Sequence, residues 1–573
     1  MIRLWKYMNS KRVIQIFFLI VLEAITFLSL PSLAANIIND GIIPGDTQTI
    51  IKLGALMIAF SFISILIAAV NVRLSAQETQ EMGNKIRKDI FKKIMHFSSA
   101  DMAQFGASTL MTRTTNDVMQ LQFVTMLSMR LAFMSPMVII VSTVLAYLRE
   151  DRLAFIFAIT LPLIILALAL IFRWAMPYFR QIQTKLDKLN QVFREGLTGI
   201  RVIRAFNTTD YETKRFDEAN SDYRDNAIMA FSINNLMLPS FISILGVSNI
   251  LIFVFGTRLI AQGQTEVGNL IAFVNYGFQI IFSVINLAMI TMMVPRAQIS
   301  SERIIEVLDA PVTVEEADHA KSLPANSELT LEFKDVSYEF PGAEKPAICQ
   351  INFKAQAGET LAIIGGTGSG KTTIANLIPR LYDPSQGKVL LNGIDIRQLG
   401  LEDLRGRIGF ATQKAVLFSG TIRSNLLYGN PEASEEMMWR ALEIAQGLEF
   451  VERLDDGLDS IVEQGGVNFS GGQRQRLSIA RAVISQPDIY LFDDSFSALD
   501  FQTDAKLRQA LKPATQDAIN IIIAQRVNTV IDADRIIVLD NGQIVGMGSH
   551  QELKANNDVY RDIVKSQMKG EDI

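Results

Sequence analysis

The residues whose types and spacing most clearly indicate chemistry lie at 365–372, where the sequence reads Gly-Gly-Thr-Gly-Ser-Gly-Lys-Thr. This run fits the pattern G-x-x-x-x-G-K-[ST], and it follows an apolar run at Leu361–Ile364 that is typical of a buried strand. In such a loop the glycines allow backbone N–H groups to surround phosphate oxygens. The lysine, Lys371, reaches the β- and γ-phosphates, and the Thr372 hydroxyl ligates Mg²⁺. The segment therefore predicts a nucleotide site.

A second chemical feature is a carboxylate at the end of an apolar run. Ile489–Phe492 is a strand-like segment, and Asp493 follows it directly. An aspartate in this position can lie beside Mg²⁺ and its bound water. Alone the pattern is not specific, because many buried strands end in aspartate. Its position downstream of a phosphate-binding loop makes Asp493 a predicted Mg²⁺ ligand.

A third motif, Phe469–Gln473, reads Phe-Ser-Gly-Gly-Gln and resembles the signature of ABC ATPases, which is usually Leu-Ser-Gly-Gly-Gln. The order and spacing of motifs across 329–573 match that family, and the preceding residues resemble the six-helix membrane domain of ABC exporters. In this family two ATPase domains meet head-to-tail, so that each ATP lies between one chain's phosphate loop and the other chain's signature. The resemblance implies that the signature contacts the ATP of a partner. The residues concerned are Phe469, Ser470, Gly471, Gly472 and Gln473.

The resemblance also implies roles for further residues. Phe340 occupies the adenine-stacking position, Gln413 is the Q-loop glutamine near Mg²⁺ and water, and Ser497–Asp500 is the D-loop. Short coupling helices are expected near Ala100–Phe105 and Asn207–Glu212. The implied ATP contacts are Phe340, Gly365, Gly366, Thr367, Gly368, Ser369, Gly370, Lys371, Thr372 and Thr373. The implied Mg²⁺ contacts are Thr372, Gln413 and Asp493.

Two residues depart from the family pattern at catalytic positions. The general base is usually a glutamate, and here it is Asp494, which is one methylene shorter; the switch histidine is replaced by Gln525, which is neutral. Either change alone is compatible with neutral drift, but both in one site favour slowed hydrolysis. The pattern resembles the degenerate half of bacterial heterodimeric exporters. Asp494 is therefore interpreted as a weakened base, with Gln525 and Gln413 beside it.

The elements that must position these residues follow from the apolar pattern. Six apolar stretches, each long enough to cross a hydrocarbon core of about 30 Å, precede residue 295. They lie near 13–38, 50–72, 126–148, 152–174, 234–260 and 268–294. We predict an all-α six-helix membrane domain at 1–307, with two long helical loops that extend from it. The alternative for these loops is a pair of separate coiled-coil hairpins.

The remainder of the chain alternates strand-like and helical stretches. This alternation predicts an α/β P-loop ATPase domain with a largely parallel sheet at 329–573. Between the two domains, 308–328 is interpreted as a linker because it contains Pro311, Pro324 and an acidic, apolar-poor run that includes Asp318.

The distribution of Lys and Arg predicts the orientation in the membrane. Basic residues are concentrated before the first stretch and within 73–125 and 173–231, whereas 39–49 and 261–267 contain none. Because cytoplasmic loops carry the excess of Lys and Arg, both termini and both long loops are expected in the cytoplasm. The basic start runs into an apolar stretch longer than a signal-peptide core, so we interpret it as a retained helix. The expected location is the cell membrane, with several passes.

Composition excludes several classes. A net charge of −5 gives no reason to expect nucleic acid, and the single cysteine, Cys349, allows no internal disulfide and no cysteine-rich metal site. At membrane depth, Glu23 is interpreted either as lining a cavity or as a partner in an interhelical hydrogen bond, and Arg130 as snorkelling to the interface.

The predicted function is that of one subunit of an ATP-driven exporter, which requires ATP and Mg²⁺. The expected partners are a second, different half-transporter, the lipid bilayer and an amphipathic small-molecule cargo such as a drug. Two alternatives remain open: export of a lipid or peptide, and an ATP-gated regulatory subunit with little turnover. An importer is disfavoured, because the membrane and ATPase domains are fused in exporter order.

Overall fold

A computed structural model of the chain describes residues 2–317, 319–323 and 328–567. The chain divides into two compact units, one of Met1–Lys93 with Ser108–Ala310 and one of Ile94–Ala107 with Pro311–Ile573. Asp318 and Pro324, which contribute to the linker prediction, lie outside the described residues. The domain limits of 1–307, 308–328 and 329–573 stay a prediction.

The first unit is built from long helices. Among the described residues, six helices are long and apolar enough to cross a membrane, which confirms the predicted membrane domain. In chain order, together with two short helices that lie between them along the chain, they are α1 (Ser10–Ile42), α2 (Thr47–Met95), α3 (Ser99–Phe105), α4 (Ala107–Arg149), α5 (Asp151–Thr198), α6 (Ile200–Ala205), α7 (Thr209–Ala261) and α8 (Val267–Asp309). The short helix α3 belongs to the second unit.

The long loops are continuations of membrane helices. Helix α2 has 49 residues and α5 has 48, so each is about 70 Å long at 1.5 Å per residue. More than half of each helix therefore extends beyond a hydrocarbon core of about 30 Å. The helices run without interruption from the apolar part into the polar part, so the alternative of separate hairpins is wrong.

The short helices at the ends of these extensions differ in how well they were predicted. Ser99–Phe105 coincides with the expected segment, and its start is fixed by a reciprocal cap between Ser98 and Asp101. The second short helix is Ile200–Ala205, earlier than the expected Asn207–Glu212. Asn207 has a φ of 52°, which breaks the helix, and Thr209 already begins the long return helix.

Polar groups at membrane depth are satisfied between helices. The Asn71 side chain donates a hydrogen bond of 3.1 Å to the Glu23 carboxylate, which joins α1 to α2. Of the two interpretations of Glu23, the structure has the interhelical hydrogen bond. Arg130 is exposed, and its reach to the membrane interface stays a prediction.

The second unit contains the predicted α/β fold. Its strands are β1 (Thr330–Tyr338), β2 (Ile348–Gln356), β3 (Thr360–Gly365), β4 (Gln386–Leu391), β5 (Ile394–Asp395), β6 (Ile408–Ala411), β7 (Gly420–Thr421), β8 (Ile461–Val462), β9 (Ile489–Asp493), β10 (Ile519–Ala524), β11 (Arg535–Asp540) and β12 (Gln543–Gly548). Its helices are α9 (Lys371–Leu377), α10 (Leu401–Gly406), α11 (Ile422–Leu427), α12 (Glu435–Ile444), α13 (Leu448–Glu452), α14 (Gly471–Val483), α15 (Phe501–Ala514), α16 (Val527–Val530), α17 (His550–Asn556) and α18 (Asp558–Gln567).

Two main sheets organise this unit. The larger has six strands in the order β12-β11-β3-β10-β9-β6, of which the last five are parallel to one another. The smaller is antiparallel, in the order β2-β1-β4-β5. Every residue of β10 is buried, which explains its nearly unbroken apolar sequence.

The parallel sheet brings the predicted chemistry together. Strand β10 lies between β3 and β9, so the carboxyl ends of all three meet at one edge. The phosphate loop follows β3, Asp493 ends β9, and Gln525 follows β10 directly. Ligands of open parallel sheets bind at such an edge.

Candidate functional site

The loop after β3 requires glycine at defined positions. Gly368 and Gly370 have φ values of 81° and 98°, in the left-handed region. A Cβ added at Gly370 would lie 2.5 Å from Ile348 Cγ2, so no other residue fits there without displacement. The ammonium of Lys371 donates hydrogen bonds to the carbonyl oxygens of Gly365, at 2.8 Å, and Gly366, at 2.7 Å. Burial lowers the pKa of Lys371, while Asp494 and Asp493 act in the opposite direction.

The end of β9 supplies a buried carboxylate beside this loop. Asp493 is 2% exposed, and its Oδ1 accepts a hydrogen bond of 3.3 Å from the Thr372 hydroxyl. Burial, with a smaller contribution from the neighbouring Asp494 carboxylate, raises the pKa of Asp493 to about 6. A buried carboxylate beside a hydroxyl is an oxygen donor set of the kind Mg²⁺ prefers. These residues therefore fit the expected ion.

The candidate base has a constrained position. Asp494 has a φ of 48°, and its backbone N–H donates to the Ile523 carbonyl oxygen at 2.8 Å. One carboxylate oxygen, Oδ2, accepts hydrogen bonds from two amides: Gln413 Nε2 at 3.2 Å and Gln525 Nε2 at 3.3 Å. The three predicted catalytic residues thus lie together, and the two amides converge on the same oxygen of Asp494.

The position of Gln525 depends on a residue that sequence reasoning missed. The Gln567 amide in α18 donates to the Gln525 carbonyl oxygen at 2.7 Å and accepts from the Val527 N–H at 2.8 Å. Both bonds fix the backbone on either side of Arg526. No motif marks Gln567, because it contacts the site only through the packing of α18 on the sheet.

Replacing Gln567 by alanine is expected to loosen this segment. The Val527 amide loses its acceptor, so its hydrogen exchange should rise by about fivefold, the effect of one net hydrogen bond. Hydrogen-exchange mass spectrometry of the peptide that contains 519–530 measures this change. Lys565→Ala is the matched control, because Lys565 is an exposed residue of the same helix and its loss should leave Val527 protected. Equal exchange in the alanine variant and the wild type would show that α18 does not hold the segment.

The expected adenine-stacking residue belongs to an aromatic cluster. The Phe340 ring, 39% exposed, lies edge-to-face against Tyr338 and Tyr382, with centroid distances of 4.9 and 5.7 Å. Burial raises the pKa of Tyr382, and the nearby side chain of Ser99, the first residue of α3, acts in the opposite direction. Sequence reasoning found Phe340 but neither tyrosine, since both are identified only by the fold.

The short helix α3 is fixed to this unit by further bonds. Ser98 Oγ lies 2.6 Å from Thr313 Oγ1, and the Thr313 N–H donates to the Asp101 carboxylate at 3.2 Å. Together with the Tyr382 contact, these bonds connect α3 to the aromatic cluster that contains Phe340. The expected coupling segment and the expected adenine contact are therefore joined within one unit.

The signature residues lie at the start of α14. Ser470 and Gln473 form a reciprocal cap, in which Ser470 Oγ accepts from the Gln473 N–H and Gln473 Oε1 accepts from the Ser470 N–H. A Cβ at Gly471 would meet nothing within 4 Å, so this surface is open. Phe469 differs from the rest of the motif: it is 6% exposed and packs in the core near Phe450.

Comparison with known proteins agrees with both units. Residues 13–284 match the model of the ABC transporter transmembrane region, and residues 348–497 match that of the ABC transporter. An uncharacterized ABC transporter ATP-binding protein of Mycobacterium tuberculosis is 40% identical over 550 residues, which cover 96% of this chain and 94% of the relative. A protein of the same description from Bacillus subtilis is 35% identical over 96% of this chain and 95% of its own length.

Two further comparisons extend this picture. The ATP-dependent lipid A-core flippase of Chromobacterium violaceum is 29% identical over 94% of this chain and 91% of the flippase. The solved structure of a bacterial Atm1-family ABC exporter with ATP bound superimposes with a TM-score of 0.79, at 23% identity, over 98% of this chain and 99% of that one. This last likeness establishes the fold. The chain belongs to the ABC transporter family, as a half-transporter that joins one transmembrane region to one ATPase domain.

Proposed function

We propose that this chain is one subunit of an ATP-driven exporter of amphipathic small molecules, and that it works as a heterodimer with a second half-transporter. The observation that carries the proposal is the pair Asp494 and Gln525, whose side chains meet at 3.3 Å. In this proposal the chain's own ATP site binds nucleotide and hydrolyses it slowly. The partner's site, completed by this chain's signature, performs most of the hydrolysis.

The slow hydrolysis follows from geometry and charge. Aspartate is one methylene shorter than glutamate, which places its carboxylate about 1 Å short of the attacking water and can cost about 10²-fold in rate. In addition, Gln413 and Gln525 both donate to Asp494 Oδ2, so that oxygen is already engaged. Gln525 can donate a hydrogen bond to a γ-phosphate, but it is neutral and cannot carry a proton.

The residues that nucleotide binding requires, by contrast, are all present in the proposed site. In the proposed site, Lys371 contacts the β- and γ-phosphates, the amides of 366–373 surround them, and Phe340 stacks on adenine. Thr372, Gln413 and Asp493 would hold Mg²⁺, which, when bound, supplies positive charge against the phosphates. The position of the buried Asp493 carboxylate, 3.3 Å from the Thr372 hydroxyl, supports this assignment.

The signature residues are suited to bind the ATP of a partner chain. Ser470 and Gln473 satisfy each other at the start of α14, a helix of 13 residues, and Gly471 is open to solvent. The N-terminus of such a helix directs N–H groups and a partial positive charge outward, which suits the γ-phosphate of an ATP bound to another chain.

The proposed location is the cell membrane, with both termini and the long helical extensions in the cytoplasm. The excess of Lys and Arg in 73–125 and 173–231 supports this orientation. A second candidate function, export of a lipid, is favoured by the 29% identity with the lipid A-core flippase.

Inverted membrane vesicles that contain this chain and its partner test the proposal. ATP added outside such vesicles reaches cytoplasmic ATPase domains, so an amphipathic dye should accumulate inside them. Right-side-out vesicles under the same conditions should accumulate none. Accumulation in right-side-out vesicles would overturn the orientation, and fluorescent lipid transport without dye transport would favour the second candidate.

A further inference from the structure

The membrane unit contains an apolar groove between α5 and α7. Its volume is about 680 Å³, within the range of about 300–1,000 Å³ typical of small-molecule pockets. The walls are mainly aliphatic and aromatic, and several of their side chains are about half exposed. Those that line it include Ile159, Leu163, Val247, Leu251 and Phe255.

The two hydroxyl groups at the floor of the groove already have hydrogen-bond partners within the protein, so they need none from a ligand. Thr160 Oγ1 donates to the Ile156 carbonyl oxygen at 2.8 Å and lies 3.2 Å from Ser248 Oγ. Both hydroxyl groups are buried, and they satisfy each other. An apolar chain can therefore lie along this floor without leaving a buried polar group unpaired.

One end of the groove is strongly basic. Arg152 stands in the first turn of α5 and Arg258 in the last turn of α7, and both line the same end together with Gln262. Arg152 donates a hydrogen bond to the Gln264 side chain. Arg258 forms no ion pair within the part of the chain that the structure describes, and none of the lining residues is acidic. Two arginines thus line one apolar groove whose lining contains no carboxylate.

The length of the groove matches one leaflet of a bilayer. From Arg152 to Leu163, helix α5 rises about 17 Å, and half of a hydrocarbon core is about 15 Å. The arginines therefore stand at the level of lipid headgroups when the apolar walls lie in hydrocarbon. A single arginine at a helix end is an ordinary interfacial anchor. Two arginines at the end of one groove instead fit a phosphate group, because guanidinium groups bind phosphate through paired hydrogen bonds.

We propose that this groove binds an anionic phospholipid, with its phosphate between Arg152 and Arg258 and one acyl chain along Ile159, Leu163 and Val247. On the orientation proposed above, the lipid belongs to the outer leaflet. A partner's apolar helix is a poorer occupant, because it would cover two guanidinium groups without supplying negative charge. The site is independent of the ATP site and of the identity of the cargo.

Native mass spectrometry of the full chain in detergent tests the proposal with phosphatidylglycerol and phosphatidylcholine as probes. The wild type should retain phosphatidylglycerol in preference to phosphatidylcholine. The double variant Arg152→Ala/Arg258→Ala should lose about tenfold or more of this retention, as expected when charge-assisted hydrogen bonds are removed. Arg173→Ala, on the same helix but outside the groove, should behave as the wild type.

A second variant tests the contribution of the acyl-chain contacts separately from that of the two arginines. Val247→Trp fills the groove and should lower lipid retention while both arginines remain. Wild-type elution in size-exclusion chromatography, together with ATP binding at the phosphate loop, reports that each variant is folded. Retention of phosphatidylglycerol that is equal in the wild type and the double variant would overturn the proposal. So would retention of phosphatidylcholine by the wild type that equals its retention of phosphatidylglycerol, because the groove would then not select a charged headgroup.

Discussion

Gly471→Asp in this chain is expected to remove most of the ATPase activity of the assembled transporter, whereas Asp494→Asn is expected to leave most of it. A Cβ at Gly471 meets nothing within 4 Å, and an aspartate in the first turn of a helix does not disturb the fold. The new carboxylate would, however, face the γ-phosphate in the partner's site. Loss of that electrostatic stabilisation should cost about 10²-fold or more.

Asp494→Asn acts on the other site. Because Asp494 is already too short and is engaged by two amides, its removal should lower the total rate by less than about twofold. Steady-state phosphate release by the purified two-chain complex in lipid measures both variants. Gly471→Ala is the matched control, since it adds a Cβ into open space without charge. If Asp494→Asn is as damaging as Gly471→Asp, Asp494 is a working base and the site is not degenerate.

The second large effect is expected for Lys371→Ala. The ammonium is the cation of the phosphate loop, and its loss should weaken ATP binding to this chain by about 10²-fold. Photolabelling with a radioactive azido-ATP, followed by separation of the two chains, measures each site independently. This chain should lose its label while the partner keeps its own.

Lys506→Ala is a suitable control for that experiment, because Lys506 is an exposed lysine on α15 and no role at the site is proposed for it. It should leave both chains labelled. Equal loss of label from both chains in Lys371→Ala would contradict two separately loaded sites.

The parts of the fold that could be predicted are those encoded locally. The six membrane helices follow from apolar length alone, and the phosphate loop and the β9 carboxylate follow from short motifs between strand and helix patterns. These signals lie within one element and its neighbours, so they can be read along the chain. The reciprocal cap of Ser470 and Gln473 is also encoded locally, since a serine followed three residues later by glutamine is its pattern, but the sequence was interpreted here only as a signature motif.

The contacts that could not be predicted join residues far apart in sequence. Gln567 is 42 residues from Gln525, and Ser99 is nearly 300 residues from Tyr382. Neither pair has a local pattern, because each depends on how whole elements pack. The second short helix was placed too late for a related reason: the turn at Asn207, with its positive φ, has no glycine or proline to mark it.

Slow hydrolysis at this chain's own ATP site, caused by Asp494 and Gln525 in place of glutamate and histidine, can be measured on the chain purified alone in lipid. A complex of two copies would contain only weak sites, so its turnover should be well below about one per second, the low end of ordinary enzyme rates. Asp494→Glu with Gln525→His should raise that turnover by about tenfold or more, because it restores the length of the base and the titratable switch residue. Wild-type turnover at about one per second or faster would show that this chain's own ATP site hydrolyses at an ordinary rate and is not degenerate.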